Sequence, residues 1–189
     1  HLKIGTVKPL FLDQQPQQKV AVDNFYIDRY EVTNQEYQRF LKATSYHDRP
    51  AHWTGEQFPE GRGDHPVTNV SWGEAMAYAL WAGKTLPTEA QWEKAARGMD
   101  GRDYPWGNEY KKGLSNIGLE GKKDTASVGS YPNDISPFGV MDMGGNVMEW
   151  TRSWYRPYPG SDYITKKLKA RLKVLRGNGF QKGGHYFLD

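Results

Sequence analysis

A chain of 189 residues with 7 Trp, 12 Tyr, 7 Phe, 21 Gly and 11 Pro fits one loop-rich globular domain with an aromatic core, not a disordered polymer, despite a mean hydropathy of −0.83. A net charge of only +3, with the basic residues scattered, excludes the domain-wide basic excess of a nucleic-acid binder. The absence of cysteine excludes disulfides, thiolate metal sites and a cysteine nucleophile among these residues.

No stretch resembles a transmembrane span or a signal peptide. The chain opens at His1 without an initiator Met, so an upstream native segment is expected. Lys19 to Val22 and Phe25 to Tyr30 read as short strands leading into a first helix. Three helix starts then share one signature, a hydroxyl N-cap answered three residues later by Glu or Gln. Thr33 with Glu36 opens a helix whose buried stripe is Tyr37, Phe40 and Leu41. Ser71 with Glu74 opens a second, with Ala75, Met76, Ala79 and Ala82 at helical spacing and Gly83 as its stop. Thr88 with Gln91 opens a third, carrying Trp92, Ala95 and Ala96 and ending at Gly98.

From Gly98 to Gly139 the chain is mostly turns, marked by Asp100-Gly101, Trp106-Gly107-Asn108, Pro132-Asn133-Asp134 and Ser136-Pro137. A stretch this long without regular structure is commonly functional or metal-held. It leads into Asp142-Met143-Gly144-Gly145-Asn146-Val147-Met148-Glu149-Trp150. Here two carboxylates, Asp142 and Glu149, flank a pair of glycines. Calcium takes six to eight oxygens from carboxylates, amides and carbonyls, and a glycine-bent loop can turn its carbonyls inward. Two glycines would permit the positive φ angles of such a wrap. Further on, the basic run Lys166 to Lys173 reads as a solvated connector into a short strand, Val174-Leu175-Arg176, interrupted by Gly177 and Gly179. With no repeat and no linker, residues 1–189 read as one α+β domain.

Several of these segments resemble the formylglycine-generating-enzyme, or sulfatase-modifying-factor, domain family. They are FYIDRYEVTNQEYQRF (Phe25 to Phe40), DHPVTNVSWGEAMAYALWAGKTLPTEAQWEKAARG (Asp64 to Gly98), YPWGNE (Tyr104 to Glu109), SPFGVMDMGGNVMEW (Ser136 to Trp150) and VLRGNGF (Val174 to Phe180). The resemblance implies a C-type-lectin-like α+β fold with little regular structure. It also implies two structural calcium sites. One would use the side chains of Asp142 and Glu149 with the carbonyls of Gly145 and Val147. The other would use the Asn116 side chain, the Ile117 carbonyl and an acid, for which Glu120 is the candidate; Lys122 and Lys123 oppose it by charge. Family members commonly open on a strand like IPAGxFxMGS and close on one like GFR. Neither is present, so native terminal segments are expected beyond both ends.

In that family, formylglycine formation uses two cysteine thiolates that hold Cu(I), for which soft sulfur suits and hard oxygen does not. No cysteine stands in this chain, so copper is not expected. Some distant relatives use three histidines on iron. Here His47, His52 and His65 lack i, i+4 spacing, and His65 fits a structural hydrogen bond better; His185 is uninformative. Carbohydrate binding is a weaker reading. Trp72, Trp81, Trp92, Trp106 and Trp150 lie in family motifs where burial is the default, leaving Trp53 and Trp154 as freer aromatics. No nucleophile elbow or phosphate loop occurs.

The function expected is therefore a calcium-stabilised, non-catalytic module acting in protein binding or complex assembly. Such a module belongs in a calcium-rich periplasmic or extracellular compartment. The alternative is a metal-dependent oxidoreductase of the same family whose catalytic residues lie outside this chain.

Overall fold

Reciprocal caps set the helices. In α1 (Asn34–Thr44), the Thr33 hydroxyl accepts from the Glu36 N–H at 3.3 Å while the Glu36 carboxylate accepts from the Thr33 N–H at 2.9 Å. The same exchange joins Ser71 and Glu74 at the start of α2 (Trp72–Trp81), and Thr88 and Gln91 at the start of α3 (Glu89–Arg97). Each exchange satisfies two N–H groups that the first helical turn leaves without intrahelical partners. All three starts fall where the sequence places them.

The computed structural model describes residues 15–118, 123–163 and 171–180, together with the backbone of residues 2–4. Four short strands form two antiparallel ribbons. β1 (Leu2–Ile4) pairs with β2 (Gln18–Val20), and β3 (Glu149–Trp154) pairs with β4 (Lys173–Arg176). The second ribbon aligns Glu149 with Arg176 and Trp150 with Leu175, then shifts register before Trp154 meets Lys173.

Two apolar clusters fill the interior. Trp92, Ala95 and Ala96 of α3 pack with Val140 and Met143, and Phe25 and Ile27 cover them. Tyr37, Phe40 and Leu41 of α1 pack with Trp53, flanked by Val32, Tyr46, Phe58, Val67, Val70, Ala77 and Tyr78. The two helical stripes named from sequence thus seed both cores. Of the α2 positions named, Ala79 alone is fully buried. Between α3 and β4 lies a buried ion network. Glu93 accepts from Arg97 at 2.7 Å and from Arg176 at 2.9 Å, and Arg176 also meets Glu89 at 3.2 Å. Breaking such a network leaves an uncompensated charge, which is why it binds β4 to α3.

Three expectations need correction. Residues 25–30 are extended but belong to no strand. Their alternation reflects Phe25 and Ile27 packing on the α3 cluster while Tyr26 points fully to solvent. Within this stretch Arg29 O accepts from Met141 N, and just beyond it Val32 O accepts from Val67 N. Trp53, taken as a free aromatic, is 8% exposed inside the α1 cluster, whereas Trp81, expected inside, is 43% exposed at the end of α2. Trp154 is exposed, as expected.

Residues 166–170 of the basic run lie outside the described residues. Its last member, Lys173, is more than a solvated charge. Its ammonium sits 4.3 Å from the Trp72 ring centre and 3.6 Å from that of Trp154, and it donates to Arg152 O at 2.8 Å. Cation–π contacts are worth about 0.5–2 kcal/mol according to desolvation. Lys173→Met keeps the stem and removes the charge, so thermal unfolding should show a midpoint lower by roughly 2–6 °C. An unchanged midpoint would mean that the tryptophans gain nothing from the cation.

Candidate functional site: an oxygen-lined loop at the start of β3

The segment 142–149 is held from three sides. Asp134 accepts the Gly144 N–H with both carboxylate oxygens, at 2.9 and 3.1 Å, while Asp142 N donates to Asp134 O at 2.9 Å. Phe180 N donates to Asn146 O at 3.0 Å. From α3, the Trp92 indole N–H donates to Glu149 Oε2 at 3.1 Å, which places that carboxylate at the first residue of β3.

The glycines matter here for space rather than for φ. Left-handed conformations fall on Asp142 (φ 62°) and Asn146 (φ 66°), residue types that tolerate them, and not on Gly144 or Gly145. This corrects the expectation that the glycine pair bends the loop. A Cβ on Gly144 would lie 2.8 Å from the Trp106 ring and 2.9 Å from Asp134. One on Gly145 would lie 2.9 Å from the backbone N and O of Asn116. Both positions are close approaches that only glycine permits.

Asn116 is therefore brought directly against the 142–149 loop, with Ile117 next to it in the chain. Asn146 N donates to Asn116 O at 2.9 Å, and Asn116 Nδ2 donates to Asn146 Oδ1 at 3.1 Å and to Asp124 O at 3.0 Å. Glu120, the remaining candidate, lies outside the described residues.

Two acids that the sequence reading missed also converge here. Glu31 is buried and accepts from Asn146 Nδ2 at 2.7 Å and from Val147 N at 3.2 Å. Asp134 is 1% exposed and holds Gly144 as described. Their sequence signal was slight, because Glu31 sits beside a helix cap and Asp134 in a turn.

Among the described residues none of Glu31, Asp134, Asp142 and Glu149 meets a Lys, Arg or His within ion-pair distance. Burial pushes Glu31 well above the usual carboxylate range, and Glu149 and Asp142 push it further. Burial likewise raises Asp134 well above its usual value against the Gly144 N–H, with Asp142 and Glu149 adding to the rise. Asp142 is raised by burial against the Gly129 N–H, which donates to it at 2.5 Å. Glu149 is pushed from 4.5 to about 7, again by burial first. Several buried anions without a cation cost several kcal/mol each unless they are protonated or neutralised by a bound ion.

The remaining donors fit a hard cation. The carbonyls of Gly145, Val147 and Ile117 accept no hydrogen bond from any described residue, whereas the intervening Asn146 carbonyl is used by Phe180. Asn116 Oδ1 is buried with no partner. Among the described residues no three carboxylate or imidazole side chains converge tightly enough to hold a metal on their own. An ion here would thus need those carbonyl and amide oxygens beside the acids, a donor set suited to calcium and unsuited to copper.

His65 and His52 bond elsewhere. His65 Nδ1 lies 2.8 Å from the Thr125 hydroxyl and 3.1 Å from Arg62, the structural role expected of it, and His52 contacts Asn69 at 3.1 Å.

A family model described as a sulfatase-modifying factor enzyme 1-like domain matches residues 2–187. The chain belongs to that family. It is 33% identical over 227 residues to the formylglycine-generating enzyme of Mus musculus, covering 92% of this chain and 60% of that protein. It is 36% identical over 215 residues to the hercynine oxygenase of Mycolicibacterium smegmatis, covering 92% of this chain and 50% of that enzyme. The chain thus spans little more than half the length of these curated relatives. Among solved structures, PvdO from Pseudomonas aeruginosa superposes with a TM-score of 0.74 at 28% identity, over 96% of this chain and 79% of that one. The α+β architecture is therefore that of the formylglycine-generating-enzyme-like domains, as the motifs implied. Among the described residues no helix is long and apolar enough to cross a membrane.

Proposed function

We propose that this sulfatase-modifying-factor domain is a calcium-stabilised module that serves in protein binding or complex assembly and does not itself carry out copper-dependent formylglycine formation. The observation that carries the reading is the set of Gly145, Val147, Ile117 and Asn116 oxygens that accept no bond from any described residue, beside carboxylates that meet no cationic side chain among the described residues. Asp142 and Glu149 would supply charge to the first ion and Asn116 an amide oxygen to the second. The absence of cysteine among the 189 residues leaves them without the soft ligands that Cu(I) chemistry requires. Long irregular segments fixed by a rigid scaffold suit recognition of a protein partner. A periplasmic or extracellular setting, where free calcium is high, would keep such sites filled.

Elemental analysis of the purified protein, after desalting into metal-free buffer, tests this. Calcium at one or two per chain without stoichiometric copper or iron is the expected result. A redox metal at one per chain would favour the second reading, an oxidoreductase completed by residues outside these 189; that the family includes a hercynine oxygenase motivates it.

A further inference from the structure

The 142–149 loop and the Asn116 segment are tied to one another through Asn146. Asn146 stands between Gly145 and Val147, whose carbonyls accept no hydrogen bond from any described residue. Its amide uses its full hydrogen-bonding capacity. Nδ2 donates to Glu31 at 2.7 Å and to Ala126 O at 3.2 Å, while Oδ1 accepts from Ala126 N at 2.9 Å and from Asn116 Nδ2 at 3.1 Å. The last bond turns the Asn116 amide so that its nitrogen is consumed and its oxygen is left without a partner. The backbone reinforces the tie. Asn146 N donates to Asn116 O, and Gly145 lies against the Asn116 peptide with no room for a Cβ.

We infer that Glu31, Asn146 and Asn116 form a relay that couples the two loops, so that hard divalent cations fill them cooperatively. The inference rests on the calcium reading above. An ion drawing the Gly145 and Val147 carbonyls into place fixes the peptides on either side of Asn146. Asn146 then fixes the Asn116 amide, and the second ion meets a donor whose ordering cost has already been met. Coupling of this kind is reciprocal, and factors of about 5–150 are common. Glu31 is a positioning residue in this scheme. Its two oxygens, one on the Asn146 amide and one on the Val147 N–H, hold the relay in register.

Native mass spectrometry of the chelator-stripped wild type, titrated with calcium chloride, reads the coupling without any substitution. At half saturation the expected spectrum contains chiefly the metal-free and two-ion species. The one-ion species should fall well below the roughly one half that two equal, independent sites give. Asn146→Gly removes the relay while accommodating the left-handed φ at that position. In that variant, once shown to be folded by circular dichroism, the one-ion species should become the main intermediate and the calorimetric Hill coefficient should fall to about 1. Two ions binding independently to the wild type, or a single ion per chain, overturn the relay but leave the calcium reading standing. No calcium bound at any concentration overturns the calcium reading and the relay with it.

Discussion

Removing the divalent ion with chelator is expected to lower the unfolding midpoint by on the order of 10 °C, and Glu149→Ala is expected to abolish that response. A ligand present at a thousand times its dissociation constant stabilises the folded state by about 4 kcal/mol. In a chain of this length each kcal/mol moves the midpoint by roughly 2–4 °C. Glu149 is the critical position because it opens β3 and is held by the Trp92 indole from α3, so the proposed ion would meet the strand and the Trp92 apolar cluster in one residue. Truncating it also leaves the buried Trp92 N–H unpaired, a loss of about 1–3 kcal/mol that is present with or without metal. The alanine variant should therefore melt lower at the outset and stay there when chelator is added. If chelator lowers the midpoint of wild type and variant by equal amounts, Glu149 is not a ligand.

What could be read in advance divides along a physical line. Helix starts were legible because a capping box is local: Thr33, Ser71 and Thr88 each find their partner three residues away. The stripes Tyr37, Phe40, Leu41 and Trp92, Ala95, Ala96 were legible for the same reason, since helical spacing alone puts them on one face. Non-local facts were not. Glu31 reaches Asn146 across 115 positions, and nothing near Glu31 announces it. β3 was missed because its sequence, Glu-Trp-Thr-Arg-Ser-Trp, draws its pairing from β4, whose partners lie 19 to 27 positions further along the chain. Trp53 and Trp81 were exchanged because motif membership does not tell which face of a short helix or turn meets the core.

The candidate site residues entered in a different way. Asp142, Gly145, Val147, Glu149, Asn116 and Ile117 came from a family resemblance, and the structure brings Asn116 against the loop that bears the first four. What the resemblance did not supply was the reason for the glycines. Gly144 and Gly145 are spacing devices against Trp106, Asp134 and Asn116, while Asp142 and Asn146 carry the left-handed turns. A motif records that a residue is required; the packing around it records why.

Metal-free protein is expected to become more stable as the pH is lowered from about 8 to about 5, against the usual behaviour of a domain that loses ion pairs in acid. Four buried carboxyls have folded-state values raised above their ordinary ones, by burial in each case. The unfolded chain then binds fewer protons than the folded one, so stability falls as pH rises. Each group's contribution is fully present below its unfolded value and is lost as pH climbs through its folded value. For Glu149 that window runs from 4.5 to about 7 and corresponds to about 3 kcal/mol. Asp100 and Asp124, lowered from 3.8, lose their contributions only below that value and leave this window alone. His52, held below 6.5 by burial, works in the opposite direction as a single imidazole against four carboxyls. With calcium bound the dependence should invert, because the ion requires the charged carboxylates and protons compete for them. Melting curves of stripped and calcium-loaded protein should accordingly lie far apart at pH 8 and converge toward pH 5. A stripped protein whose midpoint falls steadily as the pH drops across that range would mean that these carboxylates are content as anions, and the case for a cation among them would collapse.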